Sequence, residues 1–411
     1  MQTAYVFVSI DGTYVPAGYL EFIEDGGNTV SKFRYGKKYL ELPNRIPIDP
    51  ISLPLHASTT QQDFFTPEGF KIFNGLRDSA PDGWGRHVMD RAAKNYTLSE
   101  FDYLVATGED RIGALAFGID PAGPSRIKKW NEQNIIGEKF NLSELLLDAK
   151  KILSSEDLPE EQQRFFIRGS SLGGTRPKAT TYIEDFPWIA KFSREDDRIP
   201  ICKAEFAAMT IAKNVGLRVP EIKLETVLNQ DIYLIKRFDR ISDTIKLPFI
   251  SALTLTGYHE SESSKCSYMN IAEAIRVYGS RPKADLLELW KRMVFNILCN
   301  NTDDHLRNHG FLWDGKGYRL SPLYDVVPFI QNSYSRYLAL GVGVNGREAS
   351  VKNALSEIDS FGIRKKDAEI IARTMQQLVK NSWADIFKSC GAGVTDIKKY
   401  AGCFTACEEV F

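Results

Sequence analysis

The chain has 411 residues, of which 43% are hydrophobic, 26% charged and 11% aromatic. At about 150 residues per domain this length excludes a single small module, and the balance of apolar and charged residues excludes disordered, collagen-like and fibrous classes. With 52 Lys and Arg against 53 Asp and Glu, the net charge is −1, so the chain as a whole lacks the electrostatic footprint of a nucleic-acid-binding or anionic-membrane-binding surface. Any polyanion it handles should be small and locally held. The 6 cysteines are scattered with no CxxC pair, which suggests neither a disulfide framework nor a zinc site. No basic-then-apolar leader opens the sequence and no apolar run reaches about 18 residues. A cytoplasmic location without membrane contact is the expectation.

In chain order, Ala4–Ile10, the pair Asp11-Gly12, and then Thr13–Val15 and Tyr19–Phe22 predict a β-hairpin with DG at its turn. Four prolines between Pro43 and Pro54 forbid a helix there, and Asp82-Gly83-Trp84-Gly85 leads into a helix around Arg86 to Ala93. With the strand Gly113–Phe117, residues 1–125 read as a β-rich mixed subdomain. Leu142, Leu145, Leu146, Ala149, Ile152 and Leu153 recur at helical spacing, predicting a helix over Asn141 to Ser154. The strands Phe165–Ile167, Thr180–Ile183, Trp188–Phe192, Glu221–Val227 and Ile232–Ile235, with one helix over Lys203 to Val215, make a small α+β lobe within residues 126–240. From Ile271 the pattern turns helical, with helices over Ala284–Cys299 and Lys366–Val379, so residues 241–411 read as a helical lobe.

The densest polar segment, Asn300 to Gly310, follows an apolar helix and precedes the strand Phe311–Trp313. A hydrophilic loop on a rigid mount is a common place for a site. Asp303 and Asn308 stand at the Asp-x-x-x-x-Asn spacing of the protein-kinase catalytic loop, where the Asp positions and deprotonates the acceptor hydroxyl and the Asn holds a metal ion. A hairpin turning at Asp314–Gly317 ends at Asp325, so Asn308 and Asp325 can offer the hard oxygens that Mg²⁺ prefers, with nucleotide phosphates completing the shell. Taken alone, the spacing also fits a solvated turn with helix caps.

Other segments bear on that choice. Arg168 to Lys178 lies between two strands, and Gly173 and Gly174 would let backbone N–H groups approach phosphate oxygens while Arg176 and Lys178 supply charge. No GxxxxGK[ST] occurs anywhere, which disfavours a P-loop fold and points to a hairpin-borne loop of a kinase-like lobe; an ordinary Gly-rich turn is the competing reading. Lys191 stands among apolar strand neighbours and needs a partner or an exposed edge. Functionally it would hold α- and β-phosphates, braced by Glu205 on the next helix. Ile235 to Arg240 ends the last strand of the lobe, where a hinge would offer backbone hydrogen bonds to adenine and the Asp239 carboxylate to ribose.

The order of these features resembles the HipA family of serine/threonine kinases, the toxin components of bacterial toxin–antitoxin pairs. The residues that carry the resemblance are Ser171–Lys178, Lys191, Arg237–Arg240, Asn301–Asn308 and Leu320–Asp325. The resemblance extends over nearly the whole chain and implies a bilobal α+β fold of protein-kinase type. It implies Asp303 as catalytic base and Asn308 and Asp325 as Mg²⁺ ligands. ATP would be held by Gly173, Gly174, Thr175, Arg176, Lys178 and Lys191, by the hinge Lys236, Arg237, Phe238 and Asp239, and by His305, Asn308 and Tyr324. It further implies autophosphorylation at Ser171, with Ser170 an adjacent competitor, an acceptor among translation factors such as an aminoacyl-tRNA synthetase, and a DNA-binding antitoxin of HipB type. Direct nucleic-acid binding by the chain alone is not expected.

Two readings from other classes compete: a catalytically silent partner of an antitoxin, and a small-molecule phosphotransferase of aminoglycoside or lipid kinase type. His56, His87, His259 and His309 read as structural, and Arg364-Lys365-Lys366 as a helix-start surface.

Overall fold

Strand β1 (Gln2–Ile10) alternates small and large apolar residues, and it returns as β2 (Thr13–Asp25) through Asp11 and Gly12 at φ 51 and 82. These are the left-handed conformations that a two-residue primed turn requires. Pro16 sits inside β2, where a proline would cost a ladder hydrogen bond. The register slips between Val6 and Phe7, which pair with Gly18 and Pro16, so the proline falls at a bulge. With β3 (Asn28–Tyr35), β4 (Asp63–Phe65) and β5 (Leu115–Gly118) the sheet order is β4-β3-β2-β1-β5. Helices α1 (Lys37–Leu40), α2 (Asn74–Arg77), α3 (Gly83–Ala93) and α4 (Glu100–Ala106) complete this region. One face of β1, carrying Ala4, Val6 and Val8, is buried with Leu20, Phe22 and Phe33 against Phe73, Leu76, Phe101 and Leu104. Helix α5 (Leu142–Leu153) begins with a capping box between Asn141 and Glu144.

The structure is a computed structural model and describes residues 2–25, 28–56, 58–93, 96–124, 141–154, 174–194, 196–197, 199–331 and 335–411. The strand expected over Phe165–Ile167 lies outside them. The chain divides into two compact units, one formed by Met1–Arg194 with Lys236–Ile250, the other by Glu195–Ile235 with Ser251–Phe411. The first unit also contains the hairpin of β6 (Lys178–Ile183) and β7 (Phe186–Phe192), which turns at Glu184 and Asp185 with φ 49 and 62.

The second unit opens with α6 (Ile201–Asn214) and the hairpin of β8 (Ile222–Val227) and β9 (Gln230–Lys236). After the short strand β10 (Phe249–Ser251) come α7 (Ala252–Thr256), α8 (Tyr268–Tyr278) and α9 (Pro282–Leu298). Pro282 opens α9 at a position whose N–H has no intrahelical partner in any helix. The hairpin of β11 (Gly310–Trp313) and β12 (Tyr318–Leu320) follows, then α10 (Val351–Ser356), α11 (Lys365–Ser389) and α12 (Val394–Tyr400). Helix α11 runs past the expected end at Val379. No glycine or proline interrupts it before Gly391, and Trp383 and Phe387 extend its apolar stripe, with Trp383 stacked 4.6 Å from Phe404. No helix of the described residues is long and apolar enough to cross a membrane.

The segment after β9 is tied into the first unit by a buried ionic cluster. Asp239, 4% exposed, accepts from Arg237 Nε at 3.0 Å and Nη2 at 2.8 Å, from Arg240 Nη1 at 2.8 Å and from the Gly113 backbone N–H at 2.8 Å. Both arginines also donate to the Arg111 carbonyl at 2.6 Å, and Arg237 pairs with Asp110. Burial alone would raise the Asp239 carboxyl, but the two guanidiniums more than offset it and hold the acid far below its usual range. Replacing Asp239 with Asn leaves buried guanidiniums short of a counter-charge and should lower unfolding free energy by about 3–5 kcal/mol. A depressed carboxylate contributes its full stabilisation above its unfolded pKa near about 4 and loses it as pH falls further. The gap in urea midpoint between wild type and Asp239→Asn should therefore be widest at neutral pH and close on acidification below about pH 4. Equal midpoints at pH 7 would contradict this account.

Candidate active site

In the first unit, the register of β6 and β7 places Lys178 directly opposite Lys191. Opposed residues of an antiparallel pair project from one face with Cβ atoms about 4.5–5.5 Å apart, and like charges so placed destabilise the ladder. Both lysines are nearly buried, at 5% and 9% exposure, which adds a desolvation cost. Gly174 lies just before them with φ +99, and a Cβ on it would come 2.6 Å from Lys178 Nζ. Any side chain at that position would therefore displace the Lys178 ammonium group. The Thr175 carbonyl accepts from Arg194 at 2.6 Å, and Arg176 is half-buried beside it. Ser170, Ser171 and Gly173 lie outside the described residues.

The expected hinge needs one correction. Lys236 sets its ammonium 4.8 Å from the Phe186 ring centroid, Phe238 is half-buried, and the Arg237 backbone N–H donates to the Pro187 carbonyl at 3.2 Å. The side chains of Arg237 and Asp239, however, are committed to the buried cluster with Arg240, Asp110 and the Arg111–Gly113 backbone. A carboxylate already accepting from two guanidiniums and a backbone N–H is a structural anchor, and the ribose contact expected of Asp239 is withdrawn.

In the second unit the polar loop begins where α9 ends. Asn300 takes a left-handed conformation, φ 53, and its Nδ2 donates to the Phe329 carbonyl at 2.6 Å while the Phe329 N–H returns a bond to the Asn300 carbonyl at 3.0 Å. The Asp-x-x-x-x-Asn segment then closes on itself. Asn308 Nδ2 donates to the Asp303 carbonyl at 2.9 Å, and the His305 N–H donates to the same carbonyl at 2.9 Å. The Asp303 side chain faces solvent, whereas that of Asp304 is 2% exposed.

Asp304 faces inward and accepts from the Tyr268 hydroxyl and from His309 Nε2, the latter at 3.0 Å. Tyr268 in turn accepts from Asn296 Nδ2 at 3.1 Å, and Asn296 Oδ1 accepts from Asn301 Nδ2 at 3.1 Å. This network fixes the loop to α8 and α9. Burial would raise the Asp304 carboxyl, but His309 and Tyr268 together bring it below its ordinary value. Asp303 moves the other way. Partial burial raises it, His305 opposes the rise, and the negative charges of Asp325 and Asp304 add to it. The sequence reading passed over Asp304, Tyr268 and Asn296; the Asp-Asp doublet with a histidine five residues on was the available signal for the first of them.

Asp325 is delivered by the β11–β12 hairpin. The Ser321 N–H donates to Gly310 O at 2.8 Å, the Leu323 N–H donates to Arg218 O at 2.7 Å, and Arg292, bound to Glu288 at 2.9 Å, donates to Ser321 O at 2.6 Å. The Tyr324 hydroxyl donates to Arg307 O at 2.7 Å, tying the segment to the polar loop. Asp325 itself has φ 59, a conformation that Asp tolerates better than most residues and that recurs at functional sites. Tyr233 is raised far above its usual value by burial, then by the negative charges of Glu205 and Asp325.

The donor set fits a hard divalent cation. Asn308 spends its amide N–H on Asp303 and keeps its oxygen as an acceptor, Asp325 supplies a carboxylate, and the negative charge that Asp325 and Asp304 place on Asp303 is of the sign a cation would relieve. Among the described residues, no group of three or more His, Cys, Asp or Glu side chains could hold a metal alone. The opposed lysines of the first unit are suited instead to a polyanion.

Comparison with known proteins matches this chain to two family models, the HipA-like C-terminal domain over residues 170–383 and the HipA N-terminal domain over residues 8–118. Two proteins of Sinorhizobium fredii (strain NBRC 101917 / NGR234), Y4mE and Y4dM, both named provisionally as kinases, are similar to it. Y4mE is 25% identical over 328 residues, 75% of this chain and 74% of the relative; Y4dM is 26% identical over 337 residues, 77% and 76%. Among solved structures, the Shewanella oneidensis MR-1 toxin–antitoxin complex of HipA, HipB and operator DNA contains a chain that superposes with a TM-score of 0.69 at 16% identity, covering 98% of this chain and 95% of that one. That likeness establishes an α+β HipA-like fold, and the first family model spans more than half of the sequence. The chain belongs to the HipA family.

Proposed function

We propose that the chain is an ATP- and Mg²⁺-dependent serine/threonine protein kinase of HipA type. The observation that carries this reading is the cross-strand register of Lys178 and Lys191 beside Gly174. Two nearly buried lysines on opposed positions of one ladder offer paired positive charge of the kind that binds phosphate oxygens. The provisional kinase names of Y4mE and Y4dM agree with it.

In this reading Lys178 and Lys191 neutralise phosphate oxygens, while Asn308 and Asp325 would hold the metal. The bound Mg·ATP supplies the γ-phosphoryl group and the charge neutralisation that loose phosphoryl transfer needs. Asp303, exposed at the tip of a loop whose backbone is closed by Asn308, orients the acceptor hydroxyl and takes its proton. Asp304, Tyr268 and His309 keep that loop in place. Ser171, or its neighbour Ser170, is the proposed autophosphorylation site; a phosphate there carries about −1.5 to −2 charge and would repel the nucleotide's own phosphates. The protein acceptor is proposed to be a translation factor such as an aminoacyl-tRNA synthetase. A HipB-type antitoxin is the proposed partner because the Shewanella chain was solved with one and its operator DNA. Contact with DNA would then pass through that partner, in the cytoplasm.

Two outcomes test the assignment. Purified chain incubated with Mg·ATP should gain phosphate, mapped to Ser171 or Ser170 by mass spectrometry. Asp303→Asn should cut incorporation by about 10²–10⁴-fold with an unchanged denaturation midpoint, and undiminished incorporation in that variant would sink the mechanism. Tyr268→Phe removes one donor from buried Asp304 and should lower stability by about 1–3 kcal/mol while slowing transfer. Wild-type stability in this variant would mean that the Tyr268–Asp304 contact does not anchor the loop.

A further inference from the structure

One motif of the first unit plays no part in that mechanism. Asp82-Gly83-Trp84-Gly85 opens α3, and it packs against the same loop that carries Gly174 and Lys178. The Trp84 backbone N–H donates to Gly174 O at 2.9 Å, and the indole Nε1–H of the same residue donates to Lys178 O at 3.2 Å. A single buried residue thus holds the carbonyls at both ends of the Gly174–Lys178 segment. Gly83 closes the gap completely, since a Cβ there would lie 2.8 Å from Gly174 O and 3.1 Å from Thr175 Cα.

The mount beneath this grip is rigid. Arg86, one turn along α3, makes a bidentate pair with Glu100 at 2.8 and 2.6 Å and lies 4.3 Å over the Tyr103 ring, while Met89 packs on Tyr103, Ala106 and Leu98. Tyr103 also donates to Asp90 at 2.5 Å. Contacts therefore run from α4 through α3 to the backbone at both ends of the Gly174–Lys178 segment.

We infer that Trp84 is a positioning residue which sets the nucleotide loop from the amino-terminal subdomain, so that Mg·ATP affinity and the packing of α3 are linked. The inference rests on the kinase reading for the identity of the ligand. A loop already held in its working geometry has less conformational freedom to lose on binding. Linkage then requires the converse, that bound nucleotide steadies α3.

The test compares wild type with Trp84→Phe, which keeps an aromatic ring and removes the indole donor, in steady-state assays with ATP varied and in direct Mg·ATP titrations. Loss of one such hydrogen bond should raise both KM for ATP and Kd for Mg·ATP by roughly three- to tenfold and leave kcat within about twofold. A general loss of folding would instead scale down the active fraction and leave KM unchanged. Hydrogen exchange on the wild-type chain needs no variant: Mg·ATP should slow exchange in residues 83–93 together with 174–178. An unchanged KM in Trp84→Phe, or protection of 174–178 with 83–93 unaffected, overturns the inference and leaves the kinase reading standing. Absence of any Mg·ATP binding by wild type overturns both.

Discussion

Opposed positions of an antiparallel ladder project from one face, and this chain places Lys178 and Lys191 in that relation at 5% and 9% exposure. Burying two such side chains carries a desolvation cost, and neighbouring structure holds the hairpin at both ends. Glu184 and Asp185 take the left-handed conformations that pin the hairpin at one end, and the carbonyls of Gly174 and Lys178 are gripped by Trp84 at the other. Gly174 must stay without a side chain for Lys178 to lie where it does.

The second unit solves the opposite electrostatic problem, that of keeping several carboxylates near one another. It separates them by burial. Asp304 is taken into the interior, where Tyr268 and His309 stabilise its charge, and it becomes a fixed point for the loop. Its neighbour Asp303 is left facing solvent, with its carboxyl raised by partial burial and by Asp325 and Asp304. Adjacent residues of the same type thus hold different protonation tendencies, because donors outweigh burial at Asp304, whereas at Asp303 burial prevails and nearby carboxylates add to it. Asp325 is held at φ 59 by a hairpin whose end is bonded to Arg218 and Arg292. A residue kept in such a conformation needs surroundings that over-determine it, and those bonds supply them.

What the sequence disclosed depended on how far apart the interacting residues lie. The Asp11-Gly12 hairpin, the amphipathic face of α9 and the spacing of Asp303 and Asn308 were legible because each is specified within about a dozen residues. Lys178 and Lys191 could be picked out singly, but their pairing depends on where the intervening turn falls, and a shift of one residue would have placed them on opposite faces. Asp239 was misread for the same reason. Its strand-end position suggested a ligand contact, while the group that decides its role, the Gly113 N–H, is 126 residues away. Trp84 lies 94 residues from Lys178 in the chain, and no local pattern announces a bond over that separation. The late helix α11 outran its expected end because the residues that justify Trp383 and Phe387, Phe404 and Tyr400, come after it.

Near-neutrality of the whole chain conceals two kinds of buried cation in the first unit, the arginines Arg111, Arg237 and Arg240 and the lysines Lys178 and Lys191. Within the first unit Arg237 and Arg240 are compensated by Asp110 and Asp239 and serve the fold, whereas the two lysines face each other across a strand ladder. Guanidinium and ammonium groups are divided accordingly. The fork of donors on an arginine can satisfy a carboxylate and a backbone carbonyl at once, as Arg237 does with Asp239 and Arg111 O. The compact ammonium of lysine, on a flexible stem, suits a diffuse anion that arrives and leaves. In the proposed kinase, arginine and lysine within one small region would then divide between building the protein and meeting the nucleotide.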